Sequence, residues 1–167
     1  MGSYGGSEGA GKIEAVPPGG ETESEMSASA YDEQNIFAKI LRGEIPAMRV
    51  YEDDETLCFM DIMPRADGHC LIIPKTPCRN ILDASDAQLV AVMRTTGRIA
   101  RAAKAGLSAD GITLQQFSEA PGGQEVFHLH FHILPRWEGV GLRPPGKMGD
   151  MDAIKRHAEQ IQSALDT

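Results

Sequence analysis

The sequence lacks most of the features that mark membrane, secreted and nucleic-acid-binding proteins. In its 167 residues no stretch approaches the roughly 20 consecutive apolar residues that a membrane-spanning helix needs. Acidic residues outnumber basic ones by 24 to 16, and no basic stripe suggests a groove for nucleic acid. The three cysteines form no CxxC pair and follow no secretory apolar segment. We therefore expect a cytoplasmic protein with reduced thiols, and neither membrane nor nucleic acid among its partners.

The first 25 residues have few of the apolar side chains that a folded core requires. They are rich in Gly, Ser, Pro and Glu, and their five Glu and one Lys supply half of the net charge of −8. A segment of this composition cannot offset the entropy lost on ordering, so we expect residues 1–25 to be disordered. We interpret them as an appended leader, with a native disordered arm as the alternative, and residues 26–167 as a single domain.

Histidine is scarce, yet three of the five histidines lie in Val126–Leu134, which reads VFHLHFHIL. His128, His130 and His132 alternate with apolar residues, and strict alternation is the period of a β-strand. A strand would bury one face and place all three imidazoles on the other; the buried face would carry Phe127, Leu129, Phe131 and Ile133.

Three interpretations of this stretch are open. The first is a strand whose exposed face happens to carry histidines. The second is a metal site, although the outer imidazoles of one strand would lie about 13 Å apart, so that at most two neighbours could share an ion. The third is a histidine nucleophile with histidine helpers, which suits phosphoryl or nucleotidyl transfer.

The remaining pattern predicts an α+β domain with a largely antiparallel sheet. Asn35 is a fitting N-cap, and Asp83 or Ser85 can cap a longer helix. In chain order we expect a helix over 35–42, strands over 48–52, 56–62 and 68–74, a helix over 86–105, a strand over 111–117, the histidine strand, and a helix over 151–165. The acidic turn 53–55 joins the first two strands in a hairpin, and the order of elements favours a largely antiparallel sheet.

HLHFHIL matches His-φ-His-φ-His-φ-φ, the signature of the histidine triad (HIT) superfamily of nucleotide hydrolases and transferases. Three upstream segments resemble that family in the same order: NIFAKILRGEIP (35–46), FMDIMP (59–64) and GHCLIIPK (68–75). The resemblance covers a core of roughly 32–136, leaves 137–167 as a C-terminal extension, and is closest to the Hint branch, in particular to bacterial members whose triad ends in Pro-Arg. A lone HxHxH is weak, but four segments in order are specific.

The resemblance implies a HIT-like fold: a five-stranded, mainly antiparallel sheet with two main helices and a C-terminal helix. It also implies a homodimer whose sheet extends to ten strands. The implied activity is cleavage of nucleoside 5′-monophosphate derivatives, AMP-X, including phosphoramidates such as AMP-NH2 or AMP-lysine, with purine nucleotides (AMP or GMP derivatives) as ligands. Three alternatives stay open: a dinucleoside polyphosphate (Ap3A or Ap4A) hydrolase of Fhit type, a nucleotide-binding module with weak activity, and a zinc protein.

By this resemblance His130 is the nucleophile that attacks the α-phosphorus and forms a covalent nucleotidyl-histidine. A neutral imidazole suits this role because its ordinary pKa is near 6.5, and its second nitrogen should donate to a main-chain carbonyl near His128. His132 and His69 would face the phosphoryl oxygens, and His128 would organise the network. No metal ligand is assigned and no cofactor is required; zinc is kept as an alternative that is not favoured.

Asp61 matches the ribose-binding aspartate of the family, and an acceptor-only carboxylate suits two vicinal hydroxyls. Glu125 departs from the family, which usually has Ser or Thr there, and its longer anionic side chain predicts a preference for cationic amine leaving groups. The other predicted nucleotide-binding residues lie along the nucleobase pocket or near the phosphate and leaving group; they are Ile36, Phe37, Ile40, Phe59, Ile62, Ser118, Gly123 and Gln124.

Overall fold

The computed structural model describes residues 30–165, so the predicted disordered leader lies outside the described residues. Within that range five strands form one sheet in the order β1-β2-β3-β5-β4, with every neighbouring pair antiparallel. The strands are β1 (Arg49–Glu52), β2 (Thr56–Met60), β3 (Cys70–Pro74), β4 (Gly111–Gln116) and β5 (Phe131–Arg136). The helices are α1 (Ile36–Leu41), α2 (Asp86–Gly106) and α3 (Met151–Leu165). The predicted α+β architecture with a five-stranded antiparallel sheet is confirmed.

Local capping sets where the helices begin. The side chain of Asn35 accepts hydrogen bonds from two main-chain N–H groups at the start of α1, at 3.0 and 2.9 Å. A capping box between Ser85 and Gln88 starts α2. At the end of α2, a Cβ on Gly106 would lie 2.5 Å from the carbonyl oxygen of Gln160, so glycine allows α2 and α3 to approach closely.

None of the helices in residues 30–165 has the length and apolar content needed to cross a membrane.

Helices cover both faces of the sheet. The short α1 packs its apolar side against one face, in a cluster of Phe37, Ile40, Leu57, Phe59, Leu71 and Ile73. The long α2 and the C-terminal α3 pack against the opposite face, where Cys58, Ile72, Ile99, Ile133 and Ile161 belong to a larger cluster. Because successive strand residues point to opposite faces, the central strands β2 and β3 are apolar throughout and fully buried.

The strand that carries the triad is shorter than its alternating pattern predicts. β5 begins only at Phe131, and the five residues before it leave the sheet as bends and loop. In this segment the N–H of Leu129 donates to the carbonyl oxygen of Cys78, at 2.7 Å, outside any sheet ladder. His128 is consequently fully buried. The prediction that the strand includes His128 and His130 is therefore wrong. The predicted alternation of sides holds, because Leu129, Phe131 and Ile133 lie in the cluster under α2 while His128 and His130 contact Phe37 of α1.

The C-terminal extension returns to the loop that joins β2 to β3. The N–H of Arg143 donates to the carbonyl of Arg65 and the N–H of Gly149 to the carbonyl of Ile62, both at 2.8 Å. The guanidinium of Arg143 also donates to Asp67, at 2.7 Å. These contacts fix the β2–β3 loop, which carries predicted site residues at both ends.

Candidate active site

His130 presents one free ring nitrogen. Its Nδ1 lies 2.7 Å from the main-chain oxygen of His128, and because a carbonyl only accepts, Nδ1 carries the proton. The unprotonated nitrogen is therefore Nε2, which has no hydrogen-bond partner among the residues that the structure describes. Burial lowers the pKa of His130 below 6.5, so the ring is neutral at pH 7. A neutral imidazole with a free lone pair is the form that attacks an electrophile.

His128 has both ring nitrogens engaged inside the protein. Its Nε2 donates to the main-chain oxygen of Pro74 at 2.9 Å, and its Nδ1 accepts from the hydroxyl of Tyr31 at 2.5 Å. Burial lowers the pKa of His128 to about 4. This ring therefore has no nitrogen left for a substrate, and its contribution to the site is its carbonyl, which orients His130.

His132 is held by His69. The main-chain N–H of Arg65 donates to Nδ1 of His69, at 3.2 Å, so the proton of His69 lies on Nε2. That nitrogen lies 3.0 Å from Nδ1 of His132, which therefore accepts, and His132 carries its own proton on Nε2. Burial lowers the pKa of His69 to about 4 and that of His132 to about 3. Both rings are neutral, and His132 offers a donor to the site.

Asp61 follows β2 and lies beside His69. Its Oδ1 accepts the N–H of Met63 at 2.8 Å, and its Oδ2 lies 3.4 Å from Nδ1 of His69. Asp61, His69 and His132 are also the group within residues 30–165 whose ligand atoms lie close enough together to hold a metal ion. His69 and His132 are already joined by the hydrogen bond between Nε2 and Nδ1, so a metal ion held by those two atoms would require that bond to break. Nδ1 of His69 accepts from Arg65, and Oδ2 of Asp61 also only accepts, so these two neighbouring atoms share no hydrogen bond.

The predicted nucleobase residues divide into buried and exposed sets. Phe37, Ile40 and Phe59 are buried in the cluster under α1, and the ring of Phe37 lies edge-on to His130 with centroids 5.1 Å apart. Ile36 is 45% exposed and Ile62 is 43% exposed. The exposed pair is therefore accessible to a ligand, whereas the buried three belong to the packing under α1, with Phe37 against the ring of His130.

The loop before the triad has its polar groups engaged with one another. The Oε1 of Gln124 accepts from Asn80 and from the N–H of Glu119, and its Nε2 donates to two main-chain carbonyls. The N–H of Gly123 donates to Ala120. A phosphate contact by Gln124 or Gly123 would require one of these bonds to break, and that role stays a prediction.

Two other predicted residues of this loop have different surroundings. The hydroxyl of Ser118 bonds to the side chain of Gln116, at 3.1 and 3.2 Å. Glu125 is exposed, and its carboxylate is near enough to His130 to raise the pKa of that ring against the larger effect of burial.

Sequence analysis did not identify three groups that contact the triad or His69. Tyr31 bonds to His128 from a position just before the segments that carry the resemblance. The ring of Phe117 lies 5.5 Å from that of His132 in an edge-to-face arrangement. The third group is the main-chain N–H of Arg65. The contacts of Tyr31 and Phe117 join residues far apart in sequence, which only the fold brings together, whereas the bond between Arg65 and His69 lies within one loop and has no motif that marks it.

The comparisons with known proteins agree with this geometry. The HIT domain family model matches residues 42–139. A HIT-like protein from Bartonella henselae is 50% identical, covers 81% of this chain and 98% of its own, and superposes with a TM-score of 0.78. An adenosine 5′-monophosphoramidase from Saccharomyces cerevisiae is 33% identical over 149 residues, which are 87% of this chain and 92% of the relative. An adenylylsulfatase from Arabidopsis thaliana is 34% identical over 158 residues, 87% of this chain and 80% of the relative.

Proposed function

The chain belongs to the HIT domain family, and from this we propose that it cleaves adenosine 5′-monophosphate derivatives, AMP-X, through a covalent adenylyl-histidine. Family membership and the two relatives named for hydrolysis of such compounds support a nucleotide hydrolase in general. The observation that carries the finer proposal is the free Nε2 of His130, held in place by the bond from Nδ1 to the carbonyl of His128.

In this mechanism Nε2 of His130 attacks the α-phosphorus as the bond to the leaving group breaks, and the departing amine takes up a proton from solvent water and leaves as the neutral amine. The ring becomes positively charged in the intermediate, and its Nδ1–H donates to the carbonyl of His128, which stabilises that charge. The Nε2–H of His132 is placed to donate to a phosphoryl oxygen. Water then cleaves the adenylyl-histidine and releases AMP. No step requires a metal, because imidazole N–H groups meet the developing charge.

Asp61 is the proposed acceptor for the ribose hydroxyls, with Ile36 and Ile62 beside the purine. Its Oδ2 is not used by the main-chain bond from Met63 and faces the site next to His69. A carboxylate can accept from both hydroxyls of a ribose but gains only one bond from a 2′-deoxyribose. The natural leaving group would lie beside the exposed Glu125, and a cationic amine would complement that charge.

A homodimer is the proposed assembly. Within the described residues the outer edge of β4 pairs with no strand, and open edges of this kind favour pairing with another chain. Leu114 of β4 is 42% exposed and lies opposite Ile133, on the face that α2 covers. Val90 and Met93 of α2 are 56% and 44% exposed. Two-fold pairing of β4 would cover this apolar surface and extend the sheet to ten strands.

The proposal is tested by intact-protein mass spectrometry after mixing the protein with adenosine 5′-phosphoramidate, together with a measurement of AMP release. Wild type should release AMP and show a transient adenylyl adduct, and His130→Ala should lose both. His157→Ala, in α3, is the matched control that should keep them. Equal AMP release by His130→Ala would refute the assignment of the nucleophile.

Two further outcomes separate the alternatives. Turnover of Ap3A or Ap4A much faster than that of the phosphoramidate would favour a polyphosphate hydrolase. AMP binding by a folded protein that turns over neither substrate would favour a binding module. The Glu125 proposal is tested by comparing AMP-lysine with an uncharged alkyl phosphoramidate in wild type and Glu125→Ser; equal rates in both proteins would refute it.

A further inference from the structure

The loop between β4 and the triad contains one residue in a disfavoured backbone conformation. Glu119 has φ 63° and ψ 159°, a region that is essentially restricted to glycine because a Cβ crowds the backbone there. A non-glycine residue keeps such a conformation only when its surroundings hold it in place.

The side chain of Glu119 is held by the segment that follows β3. The guanidinium of Arg79 donates to both carboxylate oxygens, at 3.1 and 2.8 Å, and Nδ2 of Asn80 adds a third bond at 2.6 Å. A two-point contact between a guanidinium and a carboxylate fixes orientation as well as distance. The carboxylate therefore cannot turn without breaking several bonds at once.

The main chain of Glu119 is held as well. Its N–H donates to Oε1 of Gln124 at 2.8 Å, and its carbonyl accepts from the N–H groups of Gly122 and Gln124, at 2.9 and 3.1 Å. Gln124 is buried, and it donates in turn to the carbonyl of Arg79 at 2.8 Å. The two segments are thus joined through both side chains and backbone.

The other half of this contact is rigid. The N–H groups of Arg79 and Asn80 donate to the carboxylate of Asp83, at 3.0 and 2.8 Å, and Asn80 is 1% exposed. The guanidinium of Arg79 also lies over the ring of Phe127, 4.0 Å from its centroid. Arg79 therefore connects the turn after β3, the loop at Glu119 and the segment that leads into the triad.

We propose that Arg79 and Glu119 form a clasp that holds Glu119 in this disfavoured conformation and thereby positions the loop 117–125 on the leaving-group side of the active site. This inference rests on the proposed function. The held loop begins at Phe117, whose ring lies edge-to-face with that of His132, and ends at Glu125, five residues before His130 in the chain. Both residues of the clasp are positioning residues, since neither contacts the triad itself.

The decisive comparison is Glu119→Ala against Glu119→Gly. Both variants lose the carboxylate, but only glycine adopts the observed φ and ψ without strain. Glu119→Ala should therefore lower kcat/KM for AMP-lysine by roughly 10- to 100-fold, the scale expected for misplacement of reacting groups. Glu119→Gly should keep more activity than Glu119→Ala, and both should bind AMP within about two-fold of wild type, because Asp61 and the base pocket lie outside the loop.

Variants of Arg79 provide an independent test of the clasp. Arg79→Ala should behave like Glu119→Ala, and Arg79→Lys should restore only part of the activity because an ammonium cannot make the two-point contact. Arg79→Ala/Glu119→Gly should be more active than Arg79→Ala, since glycine makes the clasp unnecessary. In every impaired variant the loss should be larger for AMP-lysine than for AMP-NH2, whose leaving group is too small to reach the loop.

Hydrogen exchange of peptides covering 117–125 separates failure of the clasp from failure of the proposed function. Faster exchange in Glu119→Ala and Arg79→Ala than in wild type should appear whichever substrate the protein uses. Unchanged exchange in Glu119→Ala and Arg79→Ala would overturn the proposal. Equal activity of Glu119→Ala and Glu119→Gly would overturn it as well. So would a loss of AMP affinity in these variants as large as their loss of turnover. Absence of turnover by wild type, with exchange changed as expected, would overturn only the stated effect on the leaving group.

Discussion

Lowering the pH from 7 to 5 should destabilise the fold, because desolvation keeps four histidines of the site neutral: His69, His128, His130 and His132. Burial lowers the pKa of His69 and His128 from 6.5 to about 4, and that of His132 to about 3. Each folded pKa therefore lies below the unfolded one, and the unfolded chain binds more protons in the interval between them. The stabilisation is fully present above pH 6.5, and it is lost as the pH falls towards the folded values.

The size of this loss of stability follows from the difference in bound protons between the unfolded and folded states. At pH 5 an unfolded histidine is almost fully protonated and each buried one is almost entirely neutral, a difference of about 0.9 proton. Integrated from pH 7 to pH 5, each histidine accounts for about 2 kcal/mol of lost stability. His69 and His132 share a hydrogen bond and titrate as a pair. The expected total from His69, His128 and His132 is therefore about 4–6 kcal/mol, a large part of the roughly 5–15 kcal/mol typical of a domain.

Urea unfolding at pH 7, 6 and 5, followed by circular dichroism, measures this loss directly. Between pH 7 and pH 5 few carboxylates change their protonation state, because unperturbed Asp and Glu protonate near pH 4. His132→Gln removes one of the four groups, so its free energy of unfolding should fall less steeply with decreasing pH than that of wild type. A free energy of unfolding that stays constant from pH 7 to pH 5 in wild type would refute the assignment of buried neutral rings.

Three further predictions concern single side chains. Tyr31→Phe leaves Nδ1 of the buried His128 without a donor and should cost about 1–3 kcal/mol of stability at pH 7 by urea unfolding; unchanged stability would show that this bond contributes nothing. Asp61→Ala should raise KM for AMP-NH2 by about 10-fold and should remove the preference for ribose over 2′-deoxyribose in competition assays, whereas a retained preference would contradict the ribose contact. Leu114→Glu, on the outer strand, should shift the protein from dimer to monomer in light scattering after gel filtration, and a wild type that is monomeric at all concentrations would contradict the dimer.

The parts of the fold that depend on local chemistry were predictable from sequence. Two helices begin at the capping residues that the sequence shows: α1 begins after Asn35, and α2 begins at the capping box of Ser85 and Gln88. The bounds of the C-terminal helix, Met151–Leu165, follow from its amphipathic spacing. These signals act within a few residues, so the sequence carries them directly.

The arrangement around His128 was not predictable, because long-range contacts override the local pattern. Alternation of apolar and polar residues has the period of a strand, but it does not specify where pairing stops. Here the backbone of Leu129 bonds to Cys78 instead of to a strand, and the hydroxyl of Tyr31, 97 residues away, completes the burial of His128. The role of Gln124 was obscured in the same way, since its carbonyl oxygen and amide are used by Asn80 and Arg79, far from it in sequence.

The same contacts explain how three chemically identical side chains acquire different roles. In a regular strand the three imidazoles would have equivalent surroundings. Because the chain leaves the sheet before Phe131, His128 has both nitrogens engaged, His130 has only Nδ1 engaged, and His132 is linked to His69. Three of the groups that enforce this difference are main-chain atoms: the carbonyl of Pro74, the carbonyl of His128 and the N–H of Arg65. A side-chain substitution at Pro74, His128 or Arg65 leaves these main-chain atoms in place. The different roles proposed for the three histidines therefore depend on the path of the backbone rather than on further side chains. The triad motif thus predicts which residues react, whereas the path of the chain before β5 determines which of their ring nitrogens are free of hydrogen bonds within the described residues.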